Sequence, residues 1–472
     1  MTSQCHRRDF VKLGAAAGTA WALGRRSLAA STSAMSAGPL EQVRVGMVGI
    51  GSRGTFLLSL LLEQEGVAVK AVCDIISERV AKAQDMVIAA GQPQPTGYAL
   101  GETDFKRLCE TEELDLVVNA TRPWKWHVPI SVAAMTNGKH AATEVPAAET
   151  IEGCWELVET VEKTQKYCVM LENCCYFREV LLVHNMLRQG LFGELRHCEA
   201  GYQHHSRRAR PAATPAPQRG DIRTANSYPT HPIGPVAQWM NINRGNRFDY
   251  LVSMSADGTQ GNPSADINTS LIRTVAGQTV TLYYDTRLPR PYDLIYRVQG
   301  TAGICMATAD KIYIEGRSPQ PDTWESMEAY YREFEHPLWK ELGEQAAQRG
   351  GHGGGDWLVI HRLIRALQTG TPPDMDVYDA ATWSCITELS EKSVADRSRP
   401  MDFPDFTKGR WQADLLGCGS PRPGKGWNAS RPHQAMHGCR SSPRHHAVGG
   451  RQSGFKVEPE IVSREWGVDA AG

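Results

Sequence analysis

Residues 43 to 54 read Val-Arg-Val-Gly-Met-Val-Gly-Ile-Gly-Ser-Arg-Gly, an apolar run that passes directly into a turn rich in glycine. Gly49, Gly51 and Gly54 fit the spacing G-x-G-x-x-G, and Asp74 ends a second apolar run twenty residues further on. The first glycine permits a tight turn, the second lets the backbone approach a diphosphate, and the third allows close packing of helix and strand. The aspartate can accept a hydrogen bond from a ribose 2′-hydroxyl and would repel a 2′-phosphate. The stretch therefore predicts a dinucleotide-binding turn that favours NAD over NADP.

The pattern that follows the turn predicts the fold class. Apolar runs alternate with helical stretches, which is typical of a parallel, doubly wound sheet. The predicted strands cover 43–48, 67–73, 114–119 and 140–143, and the helices between them cover 55–63, 77–90, 104–110 and 129–136. We therefore predict an α/β protein with an N-terminal Rossmann dinucleotide-binding domain at 38–165. Runs of alternating apolar residues follow at 271–275, 280–284, 295–298 and 311–315, with helical stretches at 179–189, 324–331 and 356–367. They predict a C-terminal α+β domain at 166–411, built on an open mixed or antiparallel sheet.

The two ends of the chain differ from these domains in composition. Arg7 and Arg8 are followed by Phe10, Lys12 and a short apolar stretch, which resembles a twin-arginine signal peptide over residues 1–37. The expected partner is the Tat export machinery, and the expected location is periplasmic or secreted. The alternative is a disordered basic terminus. Residues 412–472 are rich in Gly, Pro, Ser, Arg and His, and we predict that they are disordered.

Composition narrows the range of partners. The chain has 472 residues and a formal net charge of −1, so it offers no electrostatic basis for binding nucleic acid. No stretch is long and apolar enough to predict a membrane span. The cysteines and histidines of the tail match no structural zinc spacing, and no metal is predicted. A small-molecule or glycan substrate is expected, and a homo-oligomer is left open.

Several segments resemble the NAD-dependent α-N-acetylgalactosaminidases of glycoside hydrolase family 109, within the Gfo/Idh/MocA superfamily. They include Glu-Val-Pro-Ala-Ala at 144–148, Arg-Pro-Trp-Lys-Trp-His-Val-Pro at 122–129 and Glu-Asn-Cys-Cys-Tyr at 172–176. Others are Tyr-Pro-Thr-His-Pro at 228–232, Gly-Pro-Val-Ala-Gln-Trp-Met-Asn-Ile-Asn-Arg-Gly at 234–245, Gly-His-Gly-Gly at 351–354 with Asp356, and Asp-Met-Asp-Val-Tyr-Asp at 374–379. The resemblance covers roughly 43–411.

The resemblance implies two sets of contacts. The cofactor-binding residues, together with the glycine turn, are Gly49, Gly51, Ser52, Arg53, Gly54, Asp74, Trp124, Lys125, Trp126, His127, Glu144, Val145, Asn173 and Tyr228. The substrate-binding residues are Tyr202, Tyr228, Pro229, Thr230 and His231. Structural alternatives stay open for some of them: the two tryptophans would cap the sheet edge, Tyr202 would be a core residue, and His127 would be an ordinary first residue of a helix.

This sequence also departs from the family's pattern at three places. Val145 stands where the superfamily commonly has a lysine that assists hydride transfer, which disfavours a plain dehydrogenase with that machinery. The segment 205–227 lacks the Trp-Arg pair whose arginine holds substrate in the family. Residues 307–309 read Ala-Thr-Ala where a second substrate tyrosine is expected.

The resemblance implies a glycosidase that uses NAD⁺ in a cycle of oxidation, elimination, hydration and reduction. For the catalytic roles we predict that His231 assists removal of the proton of the C3 hydroxyl and that Tyr176 or Tyr228 is the base at C2. Glu144 would assist the leaving group or hold a sugar hydroxyl. The alternatives are a periplasmic NAD-dependent sugar dehydrogenase of the same fold and a catalytically impaired sugar-binding member.

Overall fold

The computed structural model describes residues 38–122, 124–205, 224–258 and 264–412. The predicted signal peptide at 1–37 and the predicted disordered tail, apart from its first residue, lie outside these described residues. So does most of the altered segment at 205–227.

The first sheet is parallel and has six strands in the order β3-β2-β1-β4-β5-β6. Its strands are β1 (Val43–Val48), β2 (Val67–Cys73), β3 (Thr96–Tyr98), β4 (Leu116–Asn119), β5 (His140–Thr143) and β6 (Cys168–Met170). Its helices are α1 (Ser52–Leu62), α2 (Ser77–Ala89), α3 (Asp104–Thr111), α4 (His127–Thr136) and α5 (Ile151–Thr164). β4 and β5, two strands inside this sheet, are buried throughout, as expected for a sheet covered on its two faces. The predicted Rossmann sheet is confirmed.

One predicted boundary needs correction. The sequence analysis ended the first domain at residue 165 and assigned the next strand to the second domain. In the structure that strand, β6, pairs in parallel with β5 and completes the first sheet. A single apolar run does not say which sheet it joins, because a parallel strand partners residues that are distant in sequence.

The second sheet has eight strands in the order β13-β12-β11-β7-β10-β9-β8-β14. They are β7 (Leu195–Gln203), β8 (Phe248–Ala256), β9 (Ile267–Thr274), β10 (Thr279–Asp285), β11 (Arg297–Gly300), β12 (Gly303–Met306), β13 (Lys311–Ile314) and β14 (Met401–Asp402). β7 and β10 run parallel and the other pairs are antiparallel, so the predicted mixed sheet is confirmed.

The remaining helices belong to the second domain, and two of them pack against the first. They are α6 (Arg178–Arg188), α7 (Thr230–Trp239), α8 (Glu328–Phe334), α9 (Pro337–Arg349), α10 (Gly355–Thr369), α11 (Val377–Ser384) and α12 (Ile386–Ala395). α10 packs against α1 and β1 of the first domain, and α11 packs against α5 and β6. Within the described part of the chain, no helix is long and apolar enough to cross a bilayer.

Candidate active site

The glycine turn between β1 and α1 has the shape that a dinucleotide diphosphate needs. Gly49 has φ of +87°, and a Cβ there would lie 2.8 Å from the backbone of Ala120. A Cβ on Gly54 would lie 1.8 Å from the carbonyl oxygen of Gly49, so only glycine allows this packing. A Cβ on Gly51 would meet nothing within 4 Å, and no side chain of Gly51 caps α1. The first N–H groups of α1 therefore face open space that fits a diphosphate.

Asp74 lies directly after β2 and beside this turn. Its carboxylate accepts hydrogen bonds from the backbone N–H of Ile50 at 2.6 Å and of Ile76 at 2.9 Å. The side chain of Arg79 approaches it to 3.8 Å. Asp74 thus fixes the glycine turn itself, and it lies at the strand end where a ribose-binding acid is expected. Its contact with the cofactor stays a prediction.

A cleft with a volume of about 250 Å³ lies at the carboxyl edge of the first sheet. It brings together nine residues predicted from sequence: Ser52, Arg53, Trp124, Glu144, Val145, Asn173, Tyr202, Tyr228 and His231. Four further residues line it: Ala120, Thr121, Arg122 and His352. Residues from both domains therefore form one cavity, next to the glycine turn.

Three residues of the predicted cofactor set, Lys125, Trp126 and His127, do not line the cleft and contact other parts of the protein instead. The ring of Trp126 packs edge-on against Phe105 at 5.9 Å between centroids, and the Lys125 ammonium lies 5.2 Å from the Trp126 ring. His127 is fully buried, and its ring nitrogens lie 2.6 Å from the carbonyl oxygen of Pro146 and 3.0 Å from that of Thr121. Burial lowers the pKa of His127. Its side chain joins the loops after β4 and β5, and its contact with the cofactor stays a prediction.

The predicted role of Tyr176 as a base at C2 is not supported by its position. A short 3-10 helix, Asn173–Tyr176, places Asn173 at the cleft but Tyr176 outside the residues that line it. The Tyr176 hydroxyl donates to Asp374 at 3.0 Å, and burial raises its pKa well above the ordinary value. A buried phenol that is engaged with a carboxylate cannot take a proton from substrate.

The other predicted substrate residues divide in the same way. Pro229 is buried at the start of α7, and Thr230 is fully buried, with an Oγ1 that has no hydrogen-bond partner within the described residues. Neither lines the cleft. They instead form the start of α7, whose first turn places His231 at the cleft, and Tyr228 lies just before it.

His231 is held by a buried carboxylate. Its Nδ1 lies 2.6 Å from Oε1 of Glu172, which is fully buried and also accepts from the backbone N–H of Cys174 at 3.1 Å. With the Nδ1 proton directed to the carboxylate, the neutral imidazole leaves Nε2 as its proton acceptor. Ligand atoms of Glu172, Cys174 and His231 all lie within 4.8 Å of one another. Burial raises the pKa of the Cys174 thiol far above its ordinary value, which disfavours the thiolate that a metal would need.

Aromatic rings form one wall of the cleft. The Tyr228 ring lies 5.6 Å from Trp124, 4.7 Å from Tyr202 and 4.9 Å from His231, measured between centroids. Burial raises the pKa of Tyr228 and of Tyr202. Both phenols therefore keep their protons at neutral pH. Burial thus favours Tyr228 as a hydrogen-bond donor, and its predicted role as the base at C2 would need the positive charge of bound NAD⁺ to lower this pKa.

An ionic network joins the two domains on the cofactor side of the cleft. Arg53 donates from Nε to Glu144 at 2.7 Å and from Nη2 to Asp356 at 2.8 Å. Asp356 is fully buried and also accepts from Nδ2 of Asn173 at 2.8 Å, and its Oδ2 lies 2.6 Å from Nδ1 of His352. Burial opposes its charge, but the His352 hydrogen bond and the Arg53 charge lower the pKa of Asp356. The pKa of Arg53 is raised by Glu144 and Asp356, against the opposing effect of burial.

The prediction of site residues missed several of these side chains, although signals existed for each. Arg122 follows β4 and Glu172 follows β6, and both lie at the carboxyl edge where parallel sheets bind ligands. His352 and Asp356 belong to the segment Gly-Gly-His-Gly-Gly-Gly-Asp at 350–356, whose run of glycines indicates an unusual backbone.

Comparison with protein families agrees with this architecture. The profile of the NAD-binding Rossmann fold of the Gfo/Idh/MocA oxidoreductase family matches residues 43–172. The profile described as "Glycosyl hydrolase 109, C-terminal domain" matches residues 176–220 and 217–413.

Two relatives align over most of the chain. A "Glycosyl hydrolase family 109 protein" of Solibacter usitatus is 43% identical over 435 residues, covering 86% of this chain and 98% of its own length. A protein of Shewanella oneidensis named "Alpha-N-acetylgalactosaminidase" is 38% identical over 448 residues, covering 86% and 97%.

Among solved structures, a levoglucosan dehydrogenase in complex with NADH and L-sorbose is similar with a TM-score of 0.60 and 18% identity. It covers 78% of this chain and 100% of its own. The WlbA dehydrogenase of Bordetella pertussis, in complex with NADH and UDP-GlcNAcA, is similar with a TM-score of 0.60 and 16% identity, covering 78% and 99%. At these identities the likeness concerns the fold.

Proposed function

The chain belongs to glycoside hydrolase family 109 and is an NAD-dependent glycosidase, and we propose that its substrate is a terminal N-acetylgalactosaminide of a glycan. The name of the Shewanella oneidensis relative supports this substrate. The cleft supports the chemistry, because it combines a dinucleotide-binding turn with a histidine–carboxylate pair and an aromatic wall. NAD⁺, when bound, accepts a hydride from C3 of the sugar and returns it at the end of the cycle.

The observation that carries the proposal is Val145. It lines the cleft at the strand end where the superfamily's dehydrogenases commonly have a proton-transferring lysine. A valine cannot move a proton, so proton transfer must come from other residues of the cleft. His231, held by Glu172, is a general base of the required kind, since its Nε2 can accept a proton while Nδ1 donates to the carboxylate.

In the proposed mechanism His231 accepts the proton of the C3 hydroxyl as that carbon is oxidised. The resulting ketone acidifies the proton at C2. Water carries this proton to the oxygen of the C1 substituent, which leaves as the free alcohol or phenol while a C1–C2 double bond forms. Addition of water across that bond, and return of the hydride to C3 and of the proton held by His231 to the C3 oxygen, complete the cycle. The protonated hydroxyls of Tyr228 and Tyr202 are suited to donate hydrogen bonds to the sugar oxygen on which negative charge develops. Glu144 is bound to Arg53, which favours a role as hydrogen-bond acceptor for a sugar hydroxyl over a role as proton donor.

One assay tests the proposal against its alternatives. The enzyme is given an aryl N-acetylgalactosaminide in D₂O, and three products are measured. They are the released phenol, NADH by its absorbance, and deuterium at C2 of the sugar. We expect phenol, deuterium at C2 and no net NADH. Net NADH with free sugars would identify a dehydrogenase instead. Binding of the sugar with neither reaction would identify an impaired binding member, and hydrolysis without deuterium at C2 would exclude the elimination step.

We propose in addition that the protein is exported by the twin-arginine route to the periplasm or medium. The support is the pair Arg7 and Arg8 before a short apolar stretch in the first 37 residues. Replacing both arginines by lysine should retain the protein in the cytoplasm without changing the activity of the purified enzyme. An unaltered share in the periplasmic fraction would contradict this route. A homo-oligomer stays a prediction, to be checked by light scattering on the purified enzyme.

A further inference from the structure

The segment at 350–354, between α9 and α10, has an unusual backbone. Gly350, Gly351, His352, Gly353 and Gly354 have φ of 74°, 70°, 49°, 65° and 100°, so five consecutive residues lie in the region that favours glycine. Four of them are glycine, but His352 carries a side chain in a conformation that is costly for it. Strained positions of this kind persist only where the surroundings fix them, and they cluster at functional sites.

Two contacts fix this segment against the first domain. A Cβ on Gly351 would lie 2.5 Å from the ring of Phe56 on α1, so the backbone passes directly over the helix that follows the glycine turn. His352 lies 2.6 Å from the fully buried Asp356, which also accepts from Arg53 and Asn173. Of the His352 side chain, 28% is exposed, and it lines the same cleft as Ser52 and Arg53.

We propose that His352 is a cofactor-binding residue and that Asp356 is the positioning residue that holds it, with Arg53 and Asn173, around the bound NAD. The histidine is held through Asp356 to Arg53 of the first turn of α1, on the side of the cleft that the glycine turn forms. One buried carboxylate of the second domain thereby fixes three side chains on the cofactor side. Its loss would free all three at once.

This arrangement matches what the proposed cycle requires of the cofactor. A glycosidase that returns the hydride to its own substrate must keep NADH bound between the two hydride transfers, whereas a dehydrogenase must release it. The contacts of His352 with Asp356, and of Asp356 with Arg53 in the first turn of α1, slow that release. The inference concerns cofactor retention and not the identity of the sugar, so it can fail while the proposed function stands.

The test measures NADH release directly and needs no turnover. Purified enzyme is loaded with NADH, excess NAD⁺ is added as a trap, and the decay of NADH fluorescence gives the dissociation rate for wild type, His352→Ala, Asp356→Asn and the double variant. Asp374→Asn is the matched control, because Asp374 is another ion-paired aspartate of the second domain, bound by Arg362 and Tyr176 outside the cleft. Thermal melting of each variant checks folding.

We expect His352→Ala and Asp356→Asn each to speed NADH release by about tenfold or more, as the loss of a charge-assisted contact implies. Asp374→Asn should release NADH at the wild-type rate. The double variant should resemble Asp356→Asn alone, because the aspartate acts partly through the histidine. Wild-type release from His352→Ala would overturn the proposal, and this variant decides it even if Asp356→Asn does not fold. Equal acceleration by Asp374→Asn would show a general loss of packing instead.

Discussion

Replacing Glu172 by glutamine tests the assignment of the general base most sharply. The substitution keeps the size and shape of a side chain that is fully buried, and it removes the charge that faces His231 at 2.6 Å. The glutamine amide can adopt two orientations. With its oxygen toward Nδ1, a neutral acceptor replaces a charged one. With its nitrogen toward Nδ1, the imidazole is driven to the other tautomer and Nε2 no longer accepts a proton.

The size of the effect follows from the lost hydrogen bond. A hydrogen bond to a charged group contributes about 1.5–3 kcal/mol, so kcat should fall roughly 10- to 150-fold. NAD affinity should not change, since Glu172 bonds to His231 and to the backbone N–H of Cys174, and no hydrogen bond among the described residues joins its side chain to Arg53 or Asp356. The measurement is kcat with an aryl N-acetylgalactosaminide, together with the NAD dissociation constant.

Glu335→Gln serves as the matched control. Glu335 is also a buried glutamate, bound by Arg178 at 2.6 Å, and it does not line the cleft. A Glu172→Gln enzyme whose kcat stays within about twofold of wild type would refute the reasoning, because charge and tautomer at Nδ1 would then not matter to the reaction. An equal loss of activity in the control variant would point to general destabilisation.

Three further outcomes are expected. Asp74→Ala should raise the NAD dissociation constant by roughly 10- to 150-fold, measured by calorimetry, because the turn loses its bond to Ile50 and the ribose loses a charged acceptor; an unchanged constant would remove Asp74 from the site. Tyr228→Phe should lower kcat by about tenfold or more while leaving the pH dependence near neutrality unchanged, since burial keeps this phenol protonated. A kcat transition near pH 7 that is present in the wild type and absent from the variant would show instead that Tyr228 is a base. Burial lowers the pKa of His184 to about 3, so the unfolded chain binds its proton first as the pH falls below about 6.5, and stability is lost from there down to about pH 3 at about 1.4 kcal/mol per pH unit. His184→Gln should flatten this slope in urea unfolding at pH 7, 6 and 5, and a parallel slope would show that other groups set it.

The sequence predicted four strands and the helices between them in the first domain because the signals there are local. The glycine spacing, the acid after β2 and the alternation of runs each depend on neighbours within a few tens of residues. β6 was assigned to the wrong sheet because an apolar run does not itself indicate its partner strand. The strands β3, β7, β8, β12 and β14 and the helices α7, α9, α11 and α12 were not identified. β3 and β14 are only three and two residues long, and the apolar residues of the longer elements pack against partners that only the folded chain brings near.

The candidate site shows the same division. Sequence motifs identified nine residues that line the cleft, because chain segments at strand ends meet at one edge of a parallel sheet. They did not separate Asn173 from Tyr176, three residues apart on one turn of 3-10 helix, of which one lines the cleft and the other bonds Asp374. Nor could they find the partners of His231 and Arg53. Glu172 and Asp356 are 59 and 303 residues away from them in the chain, and only packing creates these pairs.

The two buried carboxylates divide the chemistry of the cleft between them. Glu172 faces His231, the proposed base, and Asp356 faces the arginine, asparagine and histidine that lie beside the cofactor turn. In a dehydrogenase of this fold, a lysine at the position of Val145 would move the hydroxyl proton at the same strand end where the cofactor binds. Val145 cannot move a proton, and the proposed base, His231, lies on α7 of the second domain. In the proposed cycle the hydride leaves and returns at C3, while protons move at the C3 hydroxyl, at C2 and at the oxygen on C1. Separating the proposed base from the residues beside the cofactor turn suits this cycle, because the base can act on the sugar without loosening the cofactor.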